Sequence, residues 1–129
     1  MITGQEMLNY KTWAVVGDVL NETKFAYKIF NRLKQEGYNV FPVNPRSQKE
    51  EVYKSLGEID KKVDVIDLVI NPKVGLNVVK EAKELGIDKI FIQPGAESEE
   101  ILAYCRDNQL KFFQGCVLVE LNKRKEITV

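Results

Sequence analysis

The sequence predicts a doubly wound α/β fold: a mainly parallel sheet of five to six strands with helices on both faces, in one domain covering residues 1–129. Short apolar runs closed by turn residues alternate with amphipathic segments along almost the whole chain, and that alternation belongs to parallel sheets. The amphipathic segments are long enough to serve as the crossovers that parallel neighbours require. A length of 129 residues with 44% apolar content is enough for one core.

Residues 13–46 organise the rest. The run WAVVGD reads as a buried strand that stops at Gly17 and Asp18, followed by the polar loop VLNET. In the next segment Ala26, Phe30 and Leu33, joined by Phe25 and Ile29, share one helical face. Gly37 supplies a C-terminal stop. Val40, Phe41 and Val43 resume as a strand closed by Asn44 and Pro45, which completes a β-α-β unit. Such a unit brings the loop Gly17–Thr23 and the end of the second strand to one rim, where open α/β sheets hold ligands.

Ahead of this unit, Met1–Tyr10 predicts a short leading helix whose Ile2, Met7, Leu8 and Tyr10 cover an edge of the core. After it, Ser47–Lys62 reads as an irregular connection anchored by Val52, Leu56 and Ile59, with a turn of helix or a short edge strand around Glu51–Tyr53. Val63–Ile70 is an almost continuous apolar run interrupted by Asp64 and Asp67, as in a strand covered on both faces. Asn71 and Pro72 have the layout of an N-cap and first helical residue. Val74, Val78, Val79, Ala82 and Leu85 form the helical stripe that follows, weakened at Gly75 and ended by Gly86.

Ile87–Ile92 is the next strand, terminated by Gln93, Pro94, Gly95 and Ala96. Ser98 caps a helix with Glu99 and Glu100 in its first turn, where the dipole favours acids, and with Ile101, Leu102 and Cys105 facing inward. Leu110–Phe113 and Val117–Leu121 are the last strands expected, and Asn122–Val129 is a charged ending.

Nineteen basic and nineteen acidic residues cancel, so the chain has no general electrostatic reason to bind nucleic acid or an anionic membrane. The start lacks the layout of a signal peptide and no apolar run approaches a membrane span, which predicts a cytoplasmic protein. Two cysteines, Cys105 and Cys116, are too few for a disulfide scaffold and lack metal-site spacing. There is no histidine, which removes Ser-His and Cys-His nucleophiles and imidazole metal sites.

Three stretches are candidates for ligand binding. The loop Gly17, Asp18, Val19, Leu20, Asn21 through Lys24 stands at a helix N-terminus, where free N–H groups attract anions. One glycine is neither a dinucleotide fingerprint nor a P-loop, so the plainer reading is a turn with a solvated lysine. Pro45 and Arg46, with Asn44, follow the second strand, and an arginine there suits the ribose phosphate of NADP or the 3′-phosphate of coenzyme A. The alternative is an exposed loop charge. Ile70, Asn71 and Pro72, with Gln93 and Gly95, leave two further strands on the same rim, with capping and turn formation as the plainer account.

WAVVGDVLNETKFAYKIFNRLKQEGYNVFPVNPR, VDVIDLVINP, KIFIQPGAES and the GCVLVE ending together resemble the small stand-alone CoA-binding proteins related to the CoA-binding domain of succinyl-CoA ligase α subunits. The resemblance covers about Lys11 to Glu120, and its most specific part is GY-x-V-x-PVNP. It implies a Rossmann-like fold that holds CoA or acyl-CoA along the rim without evident catalysis. By position, it implies pyrophosphate contacts from Gly17 to Asn21 and Lys24. It implies nucleotide contacts from Pro45 and Arg46, and pantetheine contacts from Ile70, Asn71, Pro72, Gln93 and Gly95. The chain departs from the family pattern at Asp18, Pro94, Gln114 and Gly115. The family often keeps a cysteine at the place of Cys116, read here near the start of a strand; a mixed disulfide with the CoA thiol and a small buried apolar group are its two readings.

The competing functions are an NADP-type oxidoreductase, which lacks a Tyr-x-x-x-Lys pair or other proton donor, and an oligomerising domain that pairs through the apolar segment at Val117. Beyond a small-molecule ligand, the sequence leaves room for a protein partner or a homo-oligomer.

Overall fold

The computed structural model describes residues 2–128. Five strands, β1 (Thr12–Gly17), β2 (Asn39–Val43), β3 (Val65–Val69), β4 (Lys89–Ile92) and β5 (Lys111–Gln114), form one sheet in the order β2-β1-β3-β4-β5. Every neighbouring pair is parallel. The fold is therefore Rossmann-like. The chain turns one way from β1 to β2 and the other way from β3 through β5, so the C-terminal ends of β1 and β3 flank the crevice where strand order reverses.

Helices α1 (Gly4–Met7), α2 (Phe25–Gln35) and α5 (Val117–Thr128) cover one face, and α3 (Pro72–Glu84) and α4 (Glu99–Asp107) cover the other. Alternation within each strand fills both layers, because successive side chains point to opposite faces. Ala14 and Val16 of β1 pack with Ile66, Leu68, Ile90, Val79 and Ile101. Trp13 and Val15 pack with Val65, Phe91, Ile29 and Leu33. Trp13 meets Tyr38 edge-on at 6.2 Å and Phe91 at 6.0 Å.

Local signals in the chain match their elements. Asn71 caps α3 by accepting from the Lys73 amide at 2.8 Å, with Pro72 at the first helical position. Ser98 caps α4 through the Ile101 amide. Gly37 and Gly86 end α2 and α3 at φ 91° and 81°, in the left-handed region open to glycine. The leading helix forms over Gly4–Met7 with a Thr3–Glu6 capping box, and Ile2, Met7 and Leu8 are buried as expected whereas Tyr10 is exposed. Tyr38 pins this helix to the sheet by donating to the Leu8 carbonyl at 2.6 Å. Val52, Leu56 and Ile59 anchor the connection as expected, with one parallel bridge from Tyr53 to Val43 and a 3₁₀ turn at Leu56–Glu58.

Other expectations are corrected. Val117–Leu121 is the start of α5, and Asn122–Thr128 continues it. Val117 and Leu121 are one turn apart and buried against the Trp13 layer, a spacing that a β-branched run hides. The edge pairing expected at Val117 goes with that strand. Phe25 is 62% exposed, because the first residue of α2 lies beyond the end of the sheet and has no core beneath it. Leu85 is exposed for the same reason at the C-cap of α3. Met1 and Val129, the outer ends of the two terminal segments, lie outside the described residues.

Candidate functional site

Two adjoining cavities of about 480 and 560 Å³ open at the C-terminal ends of the strands, the first at the reversal between β1 and β3 and the second between the loops after β1 and β2, and Asp18, Asn44 and Arg46 line both. The first adds Lys24, Phe25 and Ala26 from the start of α2 and Val69, Ile70 and Asn71 from the end of β3. Val19, Leu20 and Asn21 line the second. The fold thus gathers three of the predicted loops at one place.

The start of α2 differs from those of α1, α3 and α4, which carry side-chain caps from Thr3, Asn71 and Ser98. Lys24 occupies the N-cap of α2 and no side chain caps it. An uncapped helix start presents unpaired N–H groups and the positive end of the dipole, here toward a cavity that also holds Lys24 and Arg46. The Asn21 side chain accepts from Thr23, from the amide at 3.1 Å and the hydroxyl at 2.7 Å, which ties the loop to itself. Asp18 accepts from the Asn21 amide group at 3.3 Å and stays exposed, so one acid faces the cavities.

Gly17 is the last residue of β1 and is buried. A β-carbon there would stand 2.4 Å from the Val69 carbonyl oxygen and 3.1 Å from the Ala26 β-carbon. The glycine is therefore required by the protein's own backbone. Any side chain there meets this backbone first, so its cost falls on folding before it falls on a bound phosphate. Val19 turns its side chain into the core and donates its amide to the Gly17 carbonyl at 2.9 Å.

Around Arg46, the Asn44 side chain accepts from the Arg46 amide at 3.0 Å and its backbone amide donates to Tyr53 at 2.8 Å. This turn fixes the backbone and leaves the guanidinium toward the cavities. Among the described residues no carboxylate pairs with it. Pro45 is exposed on the same turn and lines neither cavity.

The remaining candidates divide. Ile70 and Asn71, with Pro94 and Gly95, line a smaller recess of about 220 Å³ next along the rim. Pro72 stands just beyond. Gly95 takes φ 91° and donates its amide to the Glu97 carboxylate. Gln93 follows β4 at the rim but turns its side chain inward. Its side chain is buried and accepts from the Val117 amide at 2.8 Å, capping α5 from a distance of 24 residues. Sequence reading missed Phe25 and Val69 as cavity residues; the polar start of a helix signalled the loop, but nothing local signalled that Phe25 faces outward.

The two cysteines lie in different surroundings and are both free. Cys105 is buried among the α3 and α4 layer, and burial pushes its thiol up to about 11. Cys116 is half-buried and immediately precedes α5 rather than opening a strand.

The CoA binding domain family matches residues 11–122. The chain belongs to that family. It is 32% identical over 83 residues to the α subunit of an ADP-forming acetate–CoA ligase II of Pyrococcus furiosus, a match that covers 61% of this chain and 18% of the subunit. This CoA-binding domain thus spans under a fifth of that relative. It also resembles two small solved proteins nearly end to end. A conserved hypothetical protein of Pyrococcus furiosus is 40% identical with a TM-score of 0.77, covering 86% of this chain and 99% of its own. A protein of Thermus thermophilus is 26% identical with a TM-score of 0.83, covering 95% and 98%. Among the described residues no helix is long and apolar enough to cross a membrane.

Proposed function

We propose that this domain binds CoA or an acyl-CoA extended along the C-terminal rim of its sheet and holds it without chemical change. The observation that carries the reading is the uncapped start of α2, which opens at the strand-order reversal onto a cavity shared with Lys24 and Arg46. The pyrophosphate is assigned to the loop Gly17–Asn21, Lys24 and the free amides of α2. Arg46 and Pro45 take the nucleotide end, with the guanidinium on the 3′-phosphate. Ile70, Asn71, Pro72 and Gly95 follow the pantetheine. Gln93 is left out because its side chain is committed to α5. A ligase reaction that passes through a phosphohistidine has no residue to use, since the chain contains no histidine.

Calorimetry with CoA, dephospho-CoA, NAD and NADP tests this. CoA should bind most tightly, and NADP binding as well as or better than CoA would end the reading. Arg46→Ala should weaken CoA by about tenfold, the lower end for a hydrogen bond to a charged group because Arg46 is exposed. It should leave dephospho-CoA almost unchanged, and the difference should shrink as salt rises. Equal loss for both ligands would move Arg46 to the pyrophosphate.

Asp18 opposes the assignment electrostatically, as the acid that lines both cavities. Asp18→Asn is expected to tighten CoA by about two- to fivefold at low salt, the scale of an exposed charge interaction. Weaker CoA binding in this variant would mean that Asp18 organises the loop through Asn21 more than it repels the ligand.

A further inference from the structure

The rim continues past the recess at Ile70 and Gly95. Asn71, which lines both the first cavity and that recess, also borders a further cavity of about 440 Å³ between the first turns of α3 and α4. Its other lining residues are Pro72, Lys73, Leu76, Ser98 and Glu100, and its surface is mainly apolar. The exposed surface therefore becomes more apolar along the rim, from the cavity of Lys24 and Arg46 to that of Leu76, where Lys73 and Glu100 stand at the border. CoA has the same order, from phosphates through pantetheine amides to a thiol that carries the acyl group.

We propose that this cavity receives the acyl chain, so that the preferred ligand is an acyl-CoA with an apolar acyl group; this rests on the reading of the rim given above. Leu76 is half-buried and packs on the α3 and α4 core, leaving an apolar wall open to the cavity. An anionic acyl group finds no site here. Both helix starts are already capped, by Asn71 on the Lys73 amide and Ser98 on the Ile101 amide, unlike that of α2. Lys73 and Glu100 line the same space, one charge of each sign. Each methylene buried against Leu76 should tighten binding by up to about fourfold.

Titration of the protein with CoA, hexanoyl-CoA and succinyl-CoA tests the proposal. Hexanoyl-CoA should bind about tenfold or more tightly than CoA, and succinyl-CoA should show no such gain. Leu76→Trp should fill the cavity and abolish the hexanoyl gain while CoA binds as before. Should the tryptophan disturb the fold and CoA binding with it, Leu76→Ala decides: the hexanoyl gain should fall severalfold with CoA affinity constant. Hexanoyl-CoA no tighter than CoA in the unaltered protein, or a gain that survives both substitutions, would overturn the acyl site. A tighter succinyl-CoA would overturn its apolar character. Failure of CoA itself to bind would refute the reading of the rim and the acyl site with it.

Discussion

Gly17→Ala is expected to lower the melting temperature by roughly 10 °C, a loss of about 3 kcal/mol. Overpacking in a core ordinarily costs about 1–3 kcal/mol because neighbours shift to make room. At this junction they cannot easily do so. The nearest atom is a backbone oxygen, that of Val69, at 2.4 Å from the added carbon. Gly17 and Val69 are paired in register at the ends of β1 and β3, and Ala26 of α2 closes the third side at 3.1 Å. Relief requires the two central strands to part, or α2 to lift where the cavity forms. Denaturant and thermal unfolding of the purified variant measure the effect. A melting temperature within a degree or two of the parent would show that the junction yields, and would return Gly17 to a role in ligand approach alone.

Asp67→Val should stabilise the protein at neutral pH by about 1–3 kcal/mol, the cost of burying a polar group without a hydrogen bond. Asp67 lies in the centre of β3, in register with Val15 and Phe91, and is fully buried, with neither carboxylate oxygen hydrogen-bonded among the described residues. Burial raises its pKa well above the usual carboxylate value, and Cys116 adds to the rise. The folded protein therefore keeps a proton that the unfolded chain releases just above the ordinary carboxylate pKa. Stability from this group is complete below that pH and falls as pH rises toward the folded value, by at most about 1.4 kcal/mol per pH unit. Glu6, Glu36 and Asp88 have lowered pKa values, from hydrogen bonds to Thr3, to Arg32 and to Lys89 respectively, so they act in the opposite sense at acid pH. The comparison of parent and variant isolates Asp67: their difference should widen from acid toward neutral pH. A variant that is less stable at neutral pH, or a difference that does not change with pH, would sink this account.

The loops that make the site were legible because each carries a local signal. Polar residues follow an apolar run at Gly17–Thr23, Asn44–Pro45 closes β2, and Asn71–Pro72 opens α3. The free guanidinium of Arg46 and the open start of α2 were not legible, since both depend on what neighbouring side chains are already bonded to. Asn21 is committed to Thr23 and Asn44 to Arg46. The partner of Gln93 was not legible for the same reason. Its position after β4 is a rim position, yet its partner is the amide of Val117, supplied by an element that follows β5.

The sequence by itself determined the alternation of elements as far as β5, the helix caps at Asn71 and Ser98, the glycine stops at Gly37 and Gly86, and the buried members Ala26, Ile29, Leu33, Val78, Val79 and Ala82 of the α2 and α3 stripes. These rest on periodicity and on hydrogen bonds between residues a few positions apart. Only the tertiary structure decided the strand order that sets the crevice between β1 and β3, the helical state of Val117–Leu121, the outward face of Phe25 and the burial of Asp67. Val117 can be a strand or a helix by its own preferences; it is helical because β5 ends at Gln114 and the Trp13 layer offers its side chain and that of Leu121 a surface. Phe25 has the spacing of a core residue and is left in the open because the sheet stops short of it. Each outcome is set by contacts between elements far apart in the chain, which no local preference encodes.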